Sequence, residues 1–288
     1  MRNLKIVNFI GGLGNQMFQY AFYLYLIQHH RRVKADLREF EGYPLHNGFE
    51  LTQIFDIKLK KATSLDINLH DNNKGNYFWR LFRRINGSRK SYQNEKIHFS
   101  YDQSIKTDSM SRYYWGYWQN QNYLNPIEPE LRKAFIFPKI TDNKNADLLS
   151  EINRKNTVAV HVRRGDYVNH PSLGNICDLA YYQKAISIMK EKIPNATFVI
   201  FSNDQRWCRE NLAVDDGIFV DWNTGNESFR DMQLMSACSH QIIANSSFSW
   251  WAAWLNPNPK KIIVQPKKWI NDNALDTSGL VFKNALEI

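Results

Sequence analysis

Two patterns alternate through the second half of the chain. Uninterrupted apolar runs at Val158–Val162, Phe198–Phe201, Ile218–Val220, Ile242–Ala244 and Ile262–Val264 predict strands. Between them, Asp178–Ile193 places Leu179, Tyr182, Ile186 and Met189 at helical spacing, and Ser228–Ser239 does the same with Phe229, Met232 and Met235. Ser247–Leu255 predicts a further helix, and Ser202-Asn203-Asp204 is a helix start. Apolar strands joined by helices imply a parallel sheet covered on both faces, with ligands at the carboxyl ends of the strands. The first half begins in the same way: strand Leu4–Ile10, tight loop Gly11–Gly14, apolar helix Asn15–His29 and strand Val33–Leu37. From 66 to 112 the pattern weakens into polar, Asn- and Lys-rich sequence with short aromatic clusters, an expected insertion of helices and loops. Pro126 and Pro129 open a short helix, and Thr141–Lys155 is a polar helix or linker. The expected architecture is α/β, with two Rossmann-like domains, 1–150 and 151–288, facing a crevice.

Composition narrows the class. Of 288 residues, 43% are hydrophobic and 23% charged, which excludes disorder as the main state. Three cysteines without a CxxC pair argue against a disulfide framework or a Cys-rich zinc site and fit a reducing compartment. Met17–Ile27, the longest near-apolar stretch, is broken by Gln19 and is about half a membrane span, and the N-terminus lacks a signal-peptide pattern. A cytoplasmic chain without a transmembrane anchor is expected. The net charge of +9 is concentrated: residues 74–96 hold seven basic side chains against Glu95 alone, leaving +3 for the remainder. A nucleic-acid-binding face is therefore not expected. Within the basic stretch, Tyr77–Ile85 puts Phe78, Leu81, Phe82 and Ile85 on one side and Arg80, Arg83 and Arg84 elsewhere. Such a helix either docks on an anionic membrane surface or packs on its own domain.

Three segments carry candidate chemistry. Gly11-Gly12-Leu13-Gly14-Asn15-Gln16 leaves a strand and opens a helix, the setting for a backbone anion cradle or a plain tight turn. No Gly-Lys-Ser/Thr follows, and Met17 stands at the third glycine position of a dinucleotide fingerprint. His161-Val162-Arg163-Arg164-Gly165-Asp166-Tyr167 leaves the first strand of the second domain, where an arginine can clamp a phosphate and its neighbour can pair with Asp166 or Asp178. Ala244-Asn245-Ser246-Ser247-Phe248 ends a strand with serines that can cap a helix or donate to a phosphate. Asp231, on the preceding helix, could accept two N–H bonds from a guanine edge. Trp250, Trp251 and Trp254 suit packing better than ligand stacking. The aromatics Tyr113, Tyr114, Trp115, Tyr117 and Trp118 form either a stacking floor for a sugar or a buried strand.

GGLGNQMFQYAF, GYWQNQNYL at 116–124, HVRRGDY at 161–167, FSND at 201–204 and NSSFSWWAAWL at 245–255 occur in that order. Together they resemble the bacterial α-1,2-fucosyltransferases, family eleven of the glycosyltransferases, over roughly residues 4 to 265. The resemblance implies a GT-B-type fold and inverting transfer of L-fucose from GDP-β-L-fucose to the 2-hydroxyl of a galactoside, in surface polysaccharide or O-antigen synthesis, with neither metal nor cofactor. It implies catalytic roles for Arg163, Asn15 and Asp166. Donor contacts would come from Gly12, Gly14, Asn15, His161, Arg163, Arg164, Ser202, Asp204, Asp231, Ser246, Ser247 and Phe248. Acceptor contacts would come from Tyr114, Trp115, Tyr117 and Trp118. Gly12 stands where many relatives carry an arginine, which leaves Arg163 as the main cation for the leaving group. The general base stays open among Asp166, His161 and Asp36. A lipid-linked acceptor at the inner membrane face would bring residues 74–96 to the membrane. A GDP-sugar transferase of another linkage and a non-catalytic nucleotide-sugar-binding module are the competing possibilities.

Overall fold

The computed structural model describes residues 3–42, 47–72 and 77–288. Lys74 of the basic stretch lies outside the described residues. The chain forms two compact units, Met1–Ile136 with Ser278–Leu280, and Phe137–Thr277 with Val281–Ile288.

The first unit opens with β1 (Leu4–Asn8), α1 (Leu13–His29) and β2 (Arg32–Asp36). Then come α2 (Leu51–Ile54), α3 (Ser64–His70), α4 (Tyr77–Ile85) and β3 (Tyr92–Asn94). It closes with β4 (Arg112–Trp115), α5 (Gln121–Leu124) and α6 (Glu128–Ala134). The sheet order is β2-β1-β4-β3, all parallel. The stretch 66–112, expected to be helices and loops, also supplies edge strand β3. Every residue of β1 is buried, Lys5 included. Its ammonium donates to the carbonyls of Asp108 (2.7 Å) and Met110 (2.5 Å), which ties the inserted stretch to the central strand. Burial lowers the Lys5 pKa to about 8.

The second unit comprises α7 (Asn143–Arg154), β5 (Thr157–Val162), α8 (Leu179–Lys192) and β6 (Thr197–Ser202). It continues through α9 (Gln205–Asn211), β7 (Ile218–Val220), α10 (Phe229–Ala237) and β8 (His240–Ile242). Last are α11 (Ser247–Leu255), β9 (Ile263–Gln265) and β10 (Leu286–Glu287). The order β10-β9-β8-β5-β6-β7 is wholly parallel. Counted from β5, this is the doubly wound order 3-2-1-4-5-6, whose strand order reverses between β5 and β8. Val158, Val160 and Val162 of β5 pack with Tyr182, Ile186 and Met189 of α8 on one face of the sheet. Trp250, Trp251 and Trp254 are buried, as packing residues should be. α7, expected at the edge of the first domain, belongs to the second unit, because it packs on α10.

Candidate active site

A parallel sheet of this order binds ligands outside the carboxyl ends of the strands that flank the reversal point. The segment after β5 carries His161 to Tyr167, and the segment after β8 carries Asn245 to Phe248. The topology therefore brings together the two motifs of the second unit. A tyrosine also joins them: Tyr167 shares a hydrogen bond with Ser246, and burial raises its pKa.

Arg163 lies at the centre. Its Nη2 pairs with Asp166 at 2.8 Å, and the guanidinium stands 5.3 Å from the Tyr167 ring centroid. Its buried Nε has no hydrogen-bond partner among the described residues. The Asp166 side chain is 56% exposed, so it can swing aside when an anion competes for the guanidinium. Arg164 turns the other way. Its Nε donates to Asp204 (3.2 Å), its guanidinium lies 4.1 Å from the Trp207 ring centroid, and its backbone N–H donates to Asn203 Oδ1 (3.0 Å). A Cβ on Gly165 would run into the Asn203 amide, so a side chain there would displace Asn203.

Ser202 and Asp204 are occupied within the fold. The Ser202 hydroxyl accepts from the Asp204 N–H (2.9 Å), and Asp204 caps α9 by accepting from the Trp207 N–H (3.2 Å). Asp204 holds Arg164, and Ser202 holds the backbone of Asp204. Asn203 and Trp207 complete this support of Arg164, and Tyr167 packs against Arg163. Asn203 and Tyr167 lie inside motifs already singled out, whereas nothing in the sequence marked Trp207.

Ser246 caps α11, accepting from the Phe248 N–H at 3.4 Å, and Ser247 opens the helix. A helix start at the end of a parallel strand is a setting suited to an anion. His161 is buried, and its ring centroid lies 5.8 Å from that of Phe248. Its Nδ1 has no partner among the described residues. Burial, reinforced by the Arg163 charge, lowers its pKa to about 3, so the imidazole is neutral at pH 7. Asp231, in the first turn of α10, accepts from Asn223 Nδ2 at 2.8 Å, and burial raises its pKa to about 7. Arg163, Arg164, Tyr167, Trp207 and Asn245 line a cavity of about 180 Å³. Among the described residues, no cluster of His, Cys, Asp or Glu could hold a metal ion.

In the first unit, Gly11 takes φ +78° and Gly12 precedes α1. The helix glutamines hold this loop: Gln16 donates to the carbonyls of Gly11 (2.9 Å) and Gly48 (2.8 Å), and Gln19 accepts from the Ile10 N–H (3.0 Å). Gly14 is buried in the first turn of α1. Asn15 Oδ1 accepts from Gln119 Nε2 at 2.8 Å.

Two sequence expectations are corrected here. Tyr114 and Trp118 are no open floor for a sugar, because both are buried in the aromatic core, with the Trp118 ring stacked 4.1 Å from Phe22. Trp115 is partly buried against the Leu4–Ile6 cluster, and Tyr117 is half-buried. Asp36 is no candidate base. It is buried, binds Arg38 through both oxygens and accepts from the Tyr113 hydroxyl at 2.8 Å.

A doubly wound sheet with an arginine and a helix start at its reversal point defines an α/β protein with a setting for an anionic ligand at its strand ends. The sequence model of glycosyl transferase family 11 matches residues 2–284, and the chain belongs to that family of glycosyltransferases. An Escherichia coli alpha-1,2-colitosyltransferase is 33% identical, covering 96% of this chain and 95% of the relative. The rat galactoside alpha-(1,2)-fucosyltransferase 2 is 28% identical, covering 88% of this chain and 68% of the relative. The crystal structure of fucosyltransferase NodZ from Bradyrhizobium aligns with TM-score 0.52 at 13% identity, over 89% of this chain and 95% of that one. It shares the GT-B fold expected from the sequence.

Proposed function

We propose that the protein transfers L-fucose from GDP-β-L-fucose to the 2-hydroxyl of a galactoside, with inversion at the anomeric carbon, in the synthesis of a surface polysaccharide. The observation that carries this is the Arg163–Ser246 arrangement at the reversal point of the second sheet, in a chain of family 11. Breaking the bond between C1 and the phosphate oxygen puts positive charge on the sugar ring and negative charge on GDP. Arg163, the Ser246 and Ser247 hydroxyls and the N–H groups of α11 meet the negative charge. A preorganised donor of this kind is worth about 3–4 kcal/mol in the transition state. Asp231 holds the guanine edge in its ionised form. His161, neutral, offers a hydrogen bond without adding charge.

An E. coli relative is named for colitose, which is fucose without its 3-hydroxyl. A site built to hydrogen-bond that hydroxyl discriminates by about 10⁴-fold or more. The test is incubation with GDP-fucose, GDP-colitose or GDP-mannose and lactose, with the linkage read by NMR. An α-1,2-fucosylated product is expected, and exclusive use of another donor would overturn the fucose assignment. Turnover should survive EDTA. Loss on chelation, restored by Mg²⁺, would overturn the metal-independent mechanism.

We further propose that α4 rests on an anionic membrane. Its apolar face turns outward, with Tyr77 82% and Ile85 73% exposed and Phe78, Leu81 and Phe82 exposed between them. Arg83 is the inward anchor, donating to the carbonyls of Asn68 (3.0 Å) and Asp71 (2.6 Å). Exposed Arg80, Arg84, Arg89 and Lys90 supply the complementary charge. No helix among the described residues is long and apolar enough to cross a membrane. Sedimentation with phosphatidylglycerol vesicles should be lost in Phe78→Ser/Leu81→Ser. Equal sedimentation of that variant, or none by the parent, would overturn the proposal.

A further inference from the structure

The second unit contains a ladder of side-chain amides that none of the sequence motifs explains. It joins Asn145 in the first turn of α7, Asn223 three residues after β7, and Asp231 in the first turn of α10. β7 is parallel to β6, and β6 to β5, so Asn223 leaves its strand on the side of the sheet where Arg163 leaves β5. That is the ligand-bearing side. α10 packs on both α7 and α11, so the ladder runs between elements that frame the site.

Donors and acceptors in this ladder match in one direction only. A side-chain amide offers two N–H donors and an oxygen with two lone pairs. Asn145 is buried and uses all four. Its Nδ2 donates to Asp142 Oδ2 (3.0 Å) and Asn223 Oδ1 (2.8 Å). Its Oδ1 accepts from Trp222 Nε1 (2.8 Å) and Asn223 Nδ2 (3.0 Å). An indole N–H can only donate. The Asp142 carboxyl, held below the usual range chiefly by the Asn145 backbone N–H, accepts. The Asn145 amide therefore cannot be reversed. Asn223 is locked in turn: its Oδ1 takes the Asn145 N–H, so its Nδ2 faces Asn145 Oδ1 and Asp231 Oδ1, the latter at 2.8 Å.

Asp231 is thus met by a donor that has no other choice. Burial pushes its carboxyl toward the protonated form, and the Asn223 bond opposes that push. Each carboxylate oxygen has two lone pairs, so Oδ1 keeps one after accepting from Asn223. Oδ2 has no hydrogen-bond partner among the described residues, and the residue keeps some exposure. Guanine presents two neighbouring N–H donors on the edge where adenine presents an acceptor nitrogen. A carboxylate fixed as a pair of acceptors takes the first and leaves the second unmatched. We infer that Asn223, locked by Asn145, is a positioning residue that fixes Asp231 as a pair of acceptors and so makes the site select guanine over adenine. The inference rests on the GDP-sugar function proposed above, in which Asp231 meets the base.

The test is calorimetric titration of the full chain with GDP and with ADP, which share ribose and diphosphate and differ in the base. The parent should bind GDP much more tightly than ADP. Asn223→Leu removes the donor to Asp231 at similar volume, and Asn223→Asp keeps the shape but turns the donor into an acceptor. Each should raise the GDP Kd about tenfold or more, the worth of one hydrogen bond to a charged group, and leave the ADP Kd unchanged. With GDP-fucose, the donor KM should rise while kcat at saturation holds, because the base is remote from the breaking bond. An undiminished preference for GDP in both variants would overturn the inference alone and leave the GDP-sugar reading standing. A parent that binds GDP and ADP equally would overturn both. Equal loss of GDP and ADP by the variants, misfolding included, would mark a structural role and overturn the inference.

Discussion

Near the end of its first parallel strand, each unit holds a buried polar residue with an atom unpartnered among the described residues, Asn8 Oδ1 and His161 Nδ1, yet the loops that follow are held differently. After β1, the side-chain amides of Gln16 and Gln19 bond the loop itself, and Asn15 is held by Gln119. After β5, Arg163 Nε and His161 Nδ1 are buried without partners among the described residues, and the Arg163–Asp166 pair faces solvent. The first loop is a firm wall. The second holds fixed donors in readiness for charge from outside, the arrangement that makes preorganised electrostatics effective. A mutation after β5 should therefore act on chemistry, and a mutation after β1 on alignment.

The largest expected effect comes from Arg163→Ala. Loss of this donor should lower kcat at saturating GDP-sugar by about 10²–10³-fold. The melting temperature should hardly move, because an exposed ion pair such as Arg163–Asp166 contributes little to stability. Near-normal turnover would erase the contrast between the two loops. Gly165→Ala should come next. Its methyl group displaces Asn203 and frees the Arg164 N–H, which should lower kcat/KM by about tenfold, the worth of one hydrogen bond of about 1.4 kcal/mol.

Two buried titratable groups give smaller, pH-dependent effects of opposite sign. Asp231 is raised to about 7 from an unfolded value near 4. Across that window the folded protein holds a proton that the unfolded chain lacks, so this contribution to stability falls as pH rises. His161 is lowered to about 3 from about 6.5. Across its window the unfolded chain holds the extra proton, so stability is lost as pH falls. The two slopes offset each other between about pH 4 and 6.5. In urea denaturation, Asp231→Asn should steepen the acid loss and His161→Gln should lessen it. Parallel pH profiles for the parent and both variants would overturn this account.

The second unit was legible because its strands are apolar runs and its helices keep an even 3.6 period, from Val158 to Val264. That order alone placed Arg163 and Ser246 at strand ends. The first unit was less legible. Edge strand β3 is only three residues long, and Lys5 interrupts the apolar run of β1 while its ammonium is satisfied by carbonyls over a hundred residues away in sequence. The alternation in Tyr113–Trp118 is the same for a strand in a core as for a sugar floor. Only packing on Phe22 decides it. Helix α4 was read correctly as amphipathic, but its sequence did not show that the buried side chain is Arg83. Glu95 was counted only as a charge within a basic stretch, because its place beside Gly116 and Tyr117 depends on how β3 pairs with β4.

The smallest predicted effect tests the wall itself. Gln119→Leu removes the donor to Asn15 Oδ1 and leaves the apolar part of the side chain in place. Asn15 sits in the first turn of α1, whose start is already fixed by Gln16 and Gln19, so the helix should keep its position. Only the orientation of the Asn15 amide loosens, at a cost below that of a full buried hydrogen bond of about 1 kcal/mol. That corresponds to a fall of about threefold in kcat/KM, with an unchanged GDP Kd and melting temperature. A loss as large as that of Gly165→Ala would mean that the Asn15 amide meets the developing charge directly. The loop after β1 would then belong to the reacting centre, and the contrast between the two loops would be one of degree.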